Sequence, residues 1–296
     1  MSDRRLNLKR VRDTIIWLSL IAGLSALLFF SVLRKSNAEV KTLVVHIDGR
    51  NGSDQLISEK EVKQILNLAA GKTISKTNIK TLNLRKLEAK LNKDKRIERA
   101  DIYFDSKNRL NVSIIQKKPV MRVIEDAGDE YYLDENGKQV PVTRGSAVRV
   151  PVVSGISDSF HPTFLTTEKP SKLKDIFNIM KYVSRDEFLS ALIEQAYVEN
   201  DSIGDIVLIP KLGRERLIFG DGRDIETKFE KLKIFYRDGL PKLGWSRYKI
   251  LNLKYANQVS GTLANPESAK KIEPVLRDTL QATLLTTDNN KQSIHH

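Results

Sequence analysis

SEKEVKQILNLAAGKTISKTNI, residues 58–79, contains Gly71-Lys72-Thr73, the ending of a phosphate-binding loop, and the fold turns on how those three residues are read. A phosphate-binding loop follows a strand, opens a helix and carries a glycine five residues before its Gly-Lys pair. Position 66 is Leu66. Upstream, Ser58 and Glu61 stand in capping-box spacing, a signature of helix N-termini. Val62, Ile65, Leu66 and Ala69 then fall on one helical face. Gly71 stands where a helix C-terminal glycine belongs, because only glycine enters the left-handed conformation there without steric cost. The stretch ends an amphipathic helix, and spacing and context exclude nucleotide hydrolysis through it.

Around that helix, residues 42–118 read strand, helix, helix, strand, strand. TLVVHID (42–48) is rich in β-branched residues and is followed by the polar loop GRNGSDQ. A second helix carries Leu84, Leu87 and Leu91. RIERADIYFD and RLNVSIIQ follow, joined by the turn DSKN, with Leu110, Val112 and Ile114 alternating as a half-buried strand requires. After Pro119 the composition shifts to strands and polar turns, as in PVMRVIED and YYLDENGKQVPV, with Asn136-Gly137 as a tight-hairpin signal. VRVPVVSG leads to a helix with Leu173, Ile176, Phe177, Met180 and Val183 at core spacing, recapped by Ser184 and Glu187 into a shorter one. AYVEN, DIVLIPKL and ERLIFGD read as strands. An amphipathic helix over 224–237 turns Ile225, Phe229, Leu232, Phe235 and Tyr236 inward. RYKILNLKYANQV reads as the final strand, with Leu251, Leu253 and Tyr255 on one face. Beyond it, residues 263–296 read as a flexible polar tail, with one transient helix near Val275–Leu285. The fold class is α+β: a 42–118 module and a β-rich 119–262 module.

Charge places these modules. Lys and Arg exceed Asp and Glu by 50 − 37 = +13. TIIWLSLIAGLSALLFFSVL, residues 14–33, carries no charged side chain. Twenty helical residues at about 1.5 Å each reach roughly 30 Å, the hydrocarbon thickness of a bilayer. The run is longer than a signal-peptide core, and Arg34-Lys35 follow it where a neutral cleavage region is expected. A transmembrane helix is therefore expected, between a basic tail (1–13) and a linker (34–41). Arg4, Arg5, Lys9, Arg10 and Arg12 precede the span, which keeps the N-terminus in the cytoplasm and exports the rest. The basic surface then faces membrane lipid or wall polymers rather than nucleic acid.

No constellation speaks for catalysis. DENGK (134–138) opens like a calcium loop, but the position of its bidentate Glu is Gly145. FGDGRD (219–224) joins a strand to a helix with Asp221 or Asp224 available as N-cap. His46, His161, His295 and His296 have no metal-ligand spacing, there is no cysteine, and no serine sits in a nucleophile elbow. No cofactor, metal or small-molecule substrate is expected.

This architecture resembles the bacterial cell-division family FtsQ, called DivIB in Gram-positive bacteria, along nearly the whole chain. Residues 42–118 look like its POTRA domain. RLNVSIIQKKPVMRV is similar to the family's junction of a strand and a Glu-x-x-Pro-Val stretch, with Gln116 where Glu is usual. YYLDENGKQVPV with VPVVSG resembles the start of the family's β domain, and residues 205–259 its end; GLPKLGW is most like members from the Bacteroidetes. The resemblance implies a non-enzymatic divisome component of the inner membrane, concentrated at the septum. Its partners would be FtsB/DivIC-like and FtsL-like bitopic proteins, linked onward to septal peptidoglycan synthesis. The partner strand would add to the edge of the last β-strand, expected over 248–256. The family's Asp-Leu-Arg-Tyr strand falls on Asn252, Leu253, Lys254 and Tyr255, and the implied contact set is Leu251, Asn252, Leu253, Lys254, Tyr255, Asn257 and Gln258. On alternation alone Tyr255 reads equally as a core-facing aromatic. An anchored envelope enzyme and a signal-cleaved secreted binding protein are the rival readings. The first lacks a clustered His/Asp or Ser/Lys site, and N-terminal sequencing of the mature protein separates the second.

Overall fold

A computed structural model describes residues 8–36, 38–48, 54–126, 128–143, 148–158, 160–200 and 203–264. The expected helix near Val275–Leu285 and nearly all of the expected tail lie outside them. The first helix, α1, is Leu8–Ser36. Its described side chains run from 12 to 28, and Ile15, Trp17, Leu18, Leu20, Ile21, Leu24, Leu27 and Leu28 are all exposed. Among the described residues no helix is long and apolar enough to cross a membrane. The side chains of 29–33, the end of the expected span, lie outside them.

The chain divides into two compact units, one within 1–51 and 57–116, which takes in α1, the other within 52–56 and 117–296. The first also comprises β1 (Thr42–Asp48), α2 (Glu59–Ala70), a 3-10 turn (Ile79–Thr81), α3 (Leu84–Leu91), β2 (Ile97–Phe104) and β3 (Arg109–Gln116). The sheet order is β1-β3-β2, with β3 parallel to β1 and antiparallel to β2. The capping box forms as its spacing demands. The Glu61 N–H donates to Ser58 Oγ at 3.3 Å, and the Ser58 N–H donates back to Glu61 Oε2 at 2.9 Å. Gly71 ends the helix at φ 69°, and Lys72 donates to the Thr81 hydroxyl at 3.2 Å, so the glycine-lysine pair serves a helix terminus. Val62, Leu66, Leu87 and Leu91 bury against Leu110, Val112 and Ile114. Each such side chain removed from water contributes about 1.5–3 kcal/mol.

An ion cluster fastens this unit at α2. The Arg96 guanidinium, with 10% of its side chain exposed, donates to Glu61 Oε1 at 2.7 Å and Asp94 Oδ2 at 2.8 Å. Burial pushes both carboxyls up, but hydrogen bonds from Arg96 and the backbone outweigh it and hold both below the usual carboxylate range.

The second unit comprises β4 (Pro119–Ile124), β5 (Glu130–Asp134), β6 (Gln139–Pro141), β7 (Val152–Ser154), α4 (Lys172–Ser184), α5 (Glu187–Leu192) and β8 (Ile193–Val198). It continues through β9 (Ile206–Pro210), β10 (Arg216–Gly220), α6 (Ile225–Ile234), a π-turn (Phe235–Gly239), α7 (Leu240–Leu243), β11 (Tyr248–Asn252) and β12 (Ser260–Leu263). Nine strands form one mixed sheet in the order β12-β11-β10-β9-β8-β7-β4-β5-β6. Helices lie between the strands of the parallel pairs β7/β8 and β10/β11, whereas the β5–β6 hairpin lies between those of the parallel pair β4/β7. The core lies between helices and sheet: Ile176, Phe177 and Met180 of α4 and Phe229 and Leu232 of α6 cluster with Val123, Ala196, Leu208 and Leu217.

The expected Asn136-Gly137 hairpin joins β5 to β6, and three other expectations change. The Asn136-Gly137 hairpin closes with Gly137 alone at positive φ, 73°, and the Gly137 N–H donating to Asp134 O. The buried Asp134 carboxylate sets that turn, accepting the N–H of Asn136 and of Lys138 at 2.9 and 2.8 Å and pairing with Lys117. The shorter helix is capped by Asp186, which accepts the Leu189 N–H at 2.9 Å, rather than by Ser184. Asp224 occupies the N-cap of α6 at φ 52° without a side-chain cap bond, while Asp221 binds Arg223 and Lys228 instead. The helix expected over 224–237 passes into the π-turn after Ile234, keeping Phe235 and Tyr236 inward.

Candidate functional site

The carboxyl end of the second unit places the expected contact residues. β11 is paired on both sides, in parallel with β10 (Leu217 opposite Leu251, Ile218 opposite Asn252) and antiparallel with β12 (Leu251 opposite Gly261, Asn252 opposite Ser260). The strand expected over 248–256 therefore ends at Asn252 and is no edge. At this end of the sheet, among the described residues, β12 is the strand whose outer side carries no partner strand, as β6 is at the other end. That strand escaped sequence reading because SGTL is short, mostly exposed and has one large apolar residue, Leu263, which packs against the core.

The seven residues separate accordingly. Leu251 and Leu253 are wholly buried and present no side chain to a partner. Asn252 Oδ1 accepts the Lys254 N–H at 3.0 Å, and Lys254 Nζ reaches Asp205 Oδ2 at 2.6 Å. Tyr255 is 51% exposed, so its strand alternation ends before it and the core-facing reading fails. Asn257 sits in a turn at φ 58°. Proline cannot adopt that angle, so Asn257→Pro would break the turn whatever binds there. The Gln258 carbonyl faces Lys231 Nζ at 3.5 Å.

The geometry of β12 decides which backbone groups are free. The Ala264 N–H donates to Arg247 O at 2.9 Å, and Leu263 lies opposite Tyr248. By the alternation of an antiparallel ladder, the N–H and C=O of Leu263 then point outward. Gly261 lies flat on the Tyr248 ring, where a Cβ would come within 2.5 Å of Cδ1; only glycine lets the two strands approach this closely.

Sequence reading also missed two lysines on the inward side of α6. Lys228 and Lys231 are 5% and 6% exposed. Lys228 Nζ donates to Asp221 O and Oδ1, both at 3.1 Å, and sits 4.8 Å from the Phe219 ring centroid. Lys231 Nζ donates to Leu253 O at 3.2 Å, to Tyr255 O, and to Gln258 O; burial lowers its pKa. The signal was their i, i+3 spacing on the same side as Phe229 and Leu232. A buried lysine is so uncommon that this spacing alone does not set the two apart from solvated lysines.

The arrangement offers main-chain donors and acceptors at an edge. Among the described residues, no group of three His, Asp or Glu side chains could hold a metal. His46 pairs with Asp48 at 2.9 Å, and His161 Nδ1 lies 2.8 Å from Thr163 Oγ1.

A family model described as FtsQ/DivIB, C-terminal related, matches residues 118–262, and one described as a POTRA-like domain matches residues 40–115. No curated protein matches the chain.

Proposed function

Because the chain belongs to the FtsQ/DivIB family, a family of non-enzymatic cell-division scaffolds, we propose that it is an anchored scaffold whose β12 edge receives an extended strand from an FtsB/DivIC-like bitopic protein. An FtsL-like protein completes the complex, which connects to septal peptidoglycan synthesis. The observation that carries this reading is the unpaired outer side of β12 at the end of a nine-stranded sheet. Strand addition relies on main-chain hydrogen bonds, so it tolerates Asn252 and Lys254 where the family often has Asp and Arg. The contact moves from the expected 251–258 set to β12, with Tyr255 and Asn257 of the adjoining turn beside it.

The same reading makes residues 14–33 a membrane span with the N-terminus in the cytoplasm. It is supported by the apolar side chains exposed on α1 between Ile15 and Leu28, an arrangement that suits lipid and not water.

Affinity capture of the full chain from membranes tests the partner. Small bitopic proteins should co-purify in stoichiometric yield, and their absence from a capture that retains the intact chain defeats the reading. For the topology, a reporter that folds only in the cytoplasm should be active when fused before Ser2 and inactive after His296. Activity of the second fusion would show the exported orientation to be wrong.

A further inference from the structure

We propose that Lys231 is the positioning residue for the β12 edge: one buried ammonium gathers the segment that crosses from β11 to β12 and holds β12 in place as the outer strand. The inference rests on the edge-strand reading above.

An ammonium has three N–H donors and no acceptor. Lys231 Nζ faces three carbonyls, of Leu253, Tyr255 and Gln258, which matches that capacity donor for acceptor. Those carbonyls span most of the link between Asn252 and Ser260, a segment of neither strand nor helix with Asn257 in the left-handed conformation. A link of this length does not set strand register by itself, as a two-residue hairpin turn would. Among the described residues, other bonds fasten its beginning: the Leu253 N–H donates to Ile218 O at 2.9 Å, and Lys254 pairs with Asp205. Past Lys254, the ammonium of α6 holds Tyr255 and Gln258.

β12 needs such a hold. It has four residues, it pairs with β11, and three of the four are exposed. Lys228, one turn earlier, is neutralised by Asp221, whereas Lys231 points its charge at backbone dipoles. A charged donor makes hydrogen bonds about twice as strong as a neutral one, and the low exposure of Lys231 removes the competition of water. α6 thus fixes where the accepting edge lies, although it contributes nothing to that edge.

The test is amide hydrogen exchange on the full chain, comparing wild type, Lys231→Met and Lys231→Arg, with Val207 and Leu208 of β9 as internal standards of folding. In Lys231→Met, exchange at Thr262 and Ala264 should accelerate roughly tenfold or more while the β9 amides stay protected. In Lys231→Arg, which keeps a cation and N–H donors, most of the β12 protection should remain. Unchanged β12 exchange in Lys231→Met overturns the proposal. So does equal acceleration in both variants with β9 intact, since shape rather than the donors would then matter. Should Lys231→Met lose β9 protection as well, lysine-labelled wild type decides. Lys231 ammonium protons in slow exchange, with cross-relaxation to Tyr255 and Gln258, support the clamp, and rapid solvent exchange refutes it. None of these readouts needs a partner. If wild type captures no bitopic protein, the edge-strand reading fails while the exchange comparison still judges Lys231.

Discussion

Leu263→Pro should reduce capture of the bitopic partner by roughly tenfold or more, while Leu263→Ala should retain most of it. Both variants lose the half-buried leucine side chain. Only proline removes the N–H that the ladder alternation of β12 directs outward, and its ring occupies the space an incoming strand must enter. Proline is tolerated at an outward-donating position of an edge strand, and the Ala264 N–H bond to Arg247 O lies on the opposite side of the strand. β12 should therefore remain docked, which exchange at Ala264 would report. The measurement is quantitative co-purification from membranes with full-length chains. Equal capture by the two variants would mean that the outer side of β12 carries no partner strand.

Arg96→Met should destabilise the first unit by about 1–3 kcal/mol near neutral pH, because it leaves the partly buried Glu61 and Asp94 without their cation. The pH dependence identifies the cause. Both carboxyls titrate below their usual range in the folded unit, so the unfolded chain takes up protons first as pH falls. Their stabilisation is present above the unfolded carboxylate value of about 4 and is lost as pH drops through the lower folded values. Wild type should lose stability on acidification over that window, and Arg96→Met should lose much less, so the two denaturation curves converge at low pH. A penalty for Arg96→Met that is independent of pH would mean that the guanidinium acts by packing alone. The capping box adds a local check, since Glu61 accepts from Ser58 as well as from Arg96. Ser58→Ala should cost about 1 kcal/mol, the usual value of an N-cap.

Much of the first unit could be read before any coordinates. Ser58, Glu61 and Gly71 bound α2 by chemistry that operates within a few residues, and the alternation of Leu110, Val112 and Ile114 follows from one buried face. The parallel pairing of β1 with β3 could not be read, because it joins residues such as Val45 and Val112 across a long stretch of chain and leaves no periodic mark. In the second unit the apolar helices and strands were legible for the same local reasons. Asp186 in place of Ser184, and Asp224 without its side-chain bond, show where local rules compete and packing chooses.

The final strand was legible in the sequence, and its place in the sheet was not. Sequence alone determined that a final strand of the β-rich unit begins near residue 248 and that Leu251 and Leu253 share one face. Only the tertiary structure decided that β11 lies between β10 and β12, that Tyr255 leaves the strand, and that a lysine on α6 holds the crossing segment. Apolar periodicity reports burial, which a single strand or helix carries in its own residues. An edge is a relation between strands, and β12 owes its place to a glycine against Tyr248, one half-buried leucine and a cation 27 residues before the carbonyl of Gln258.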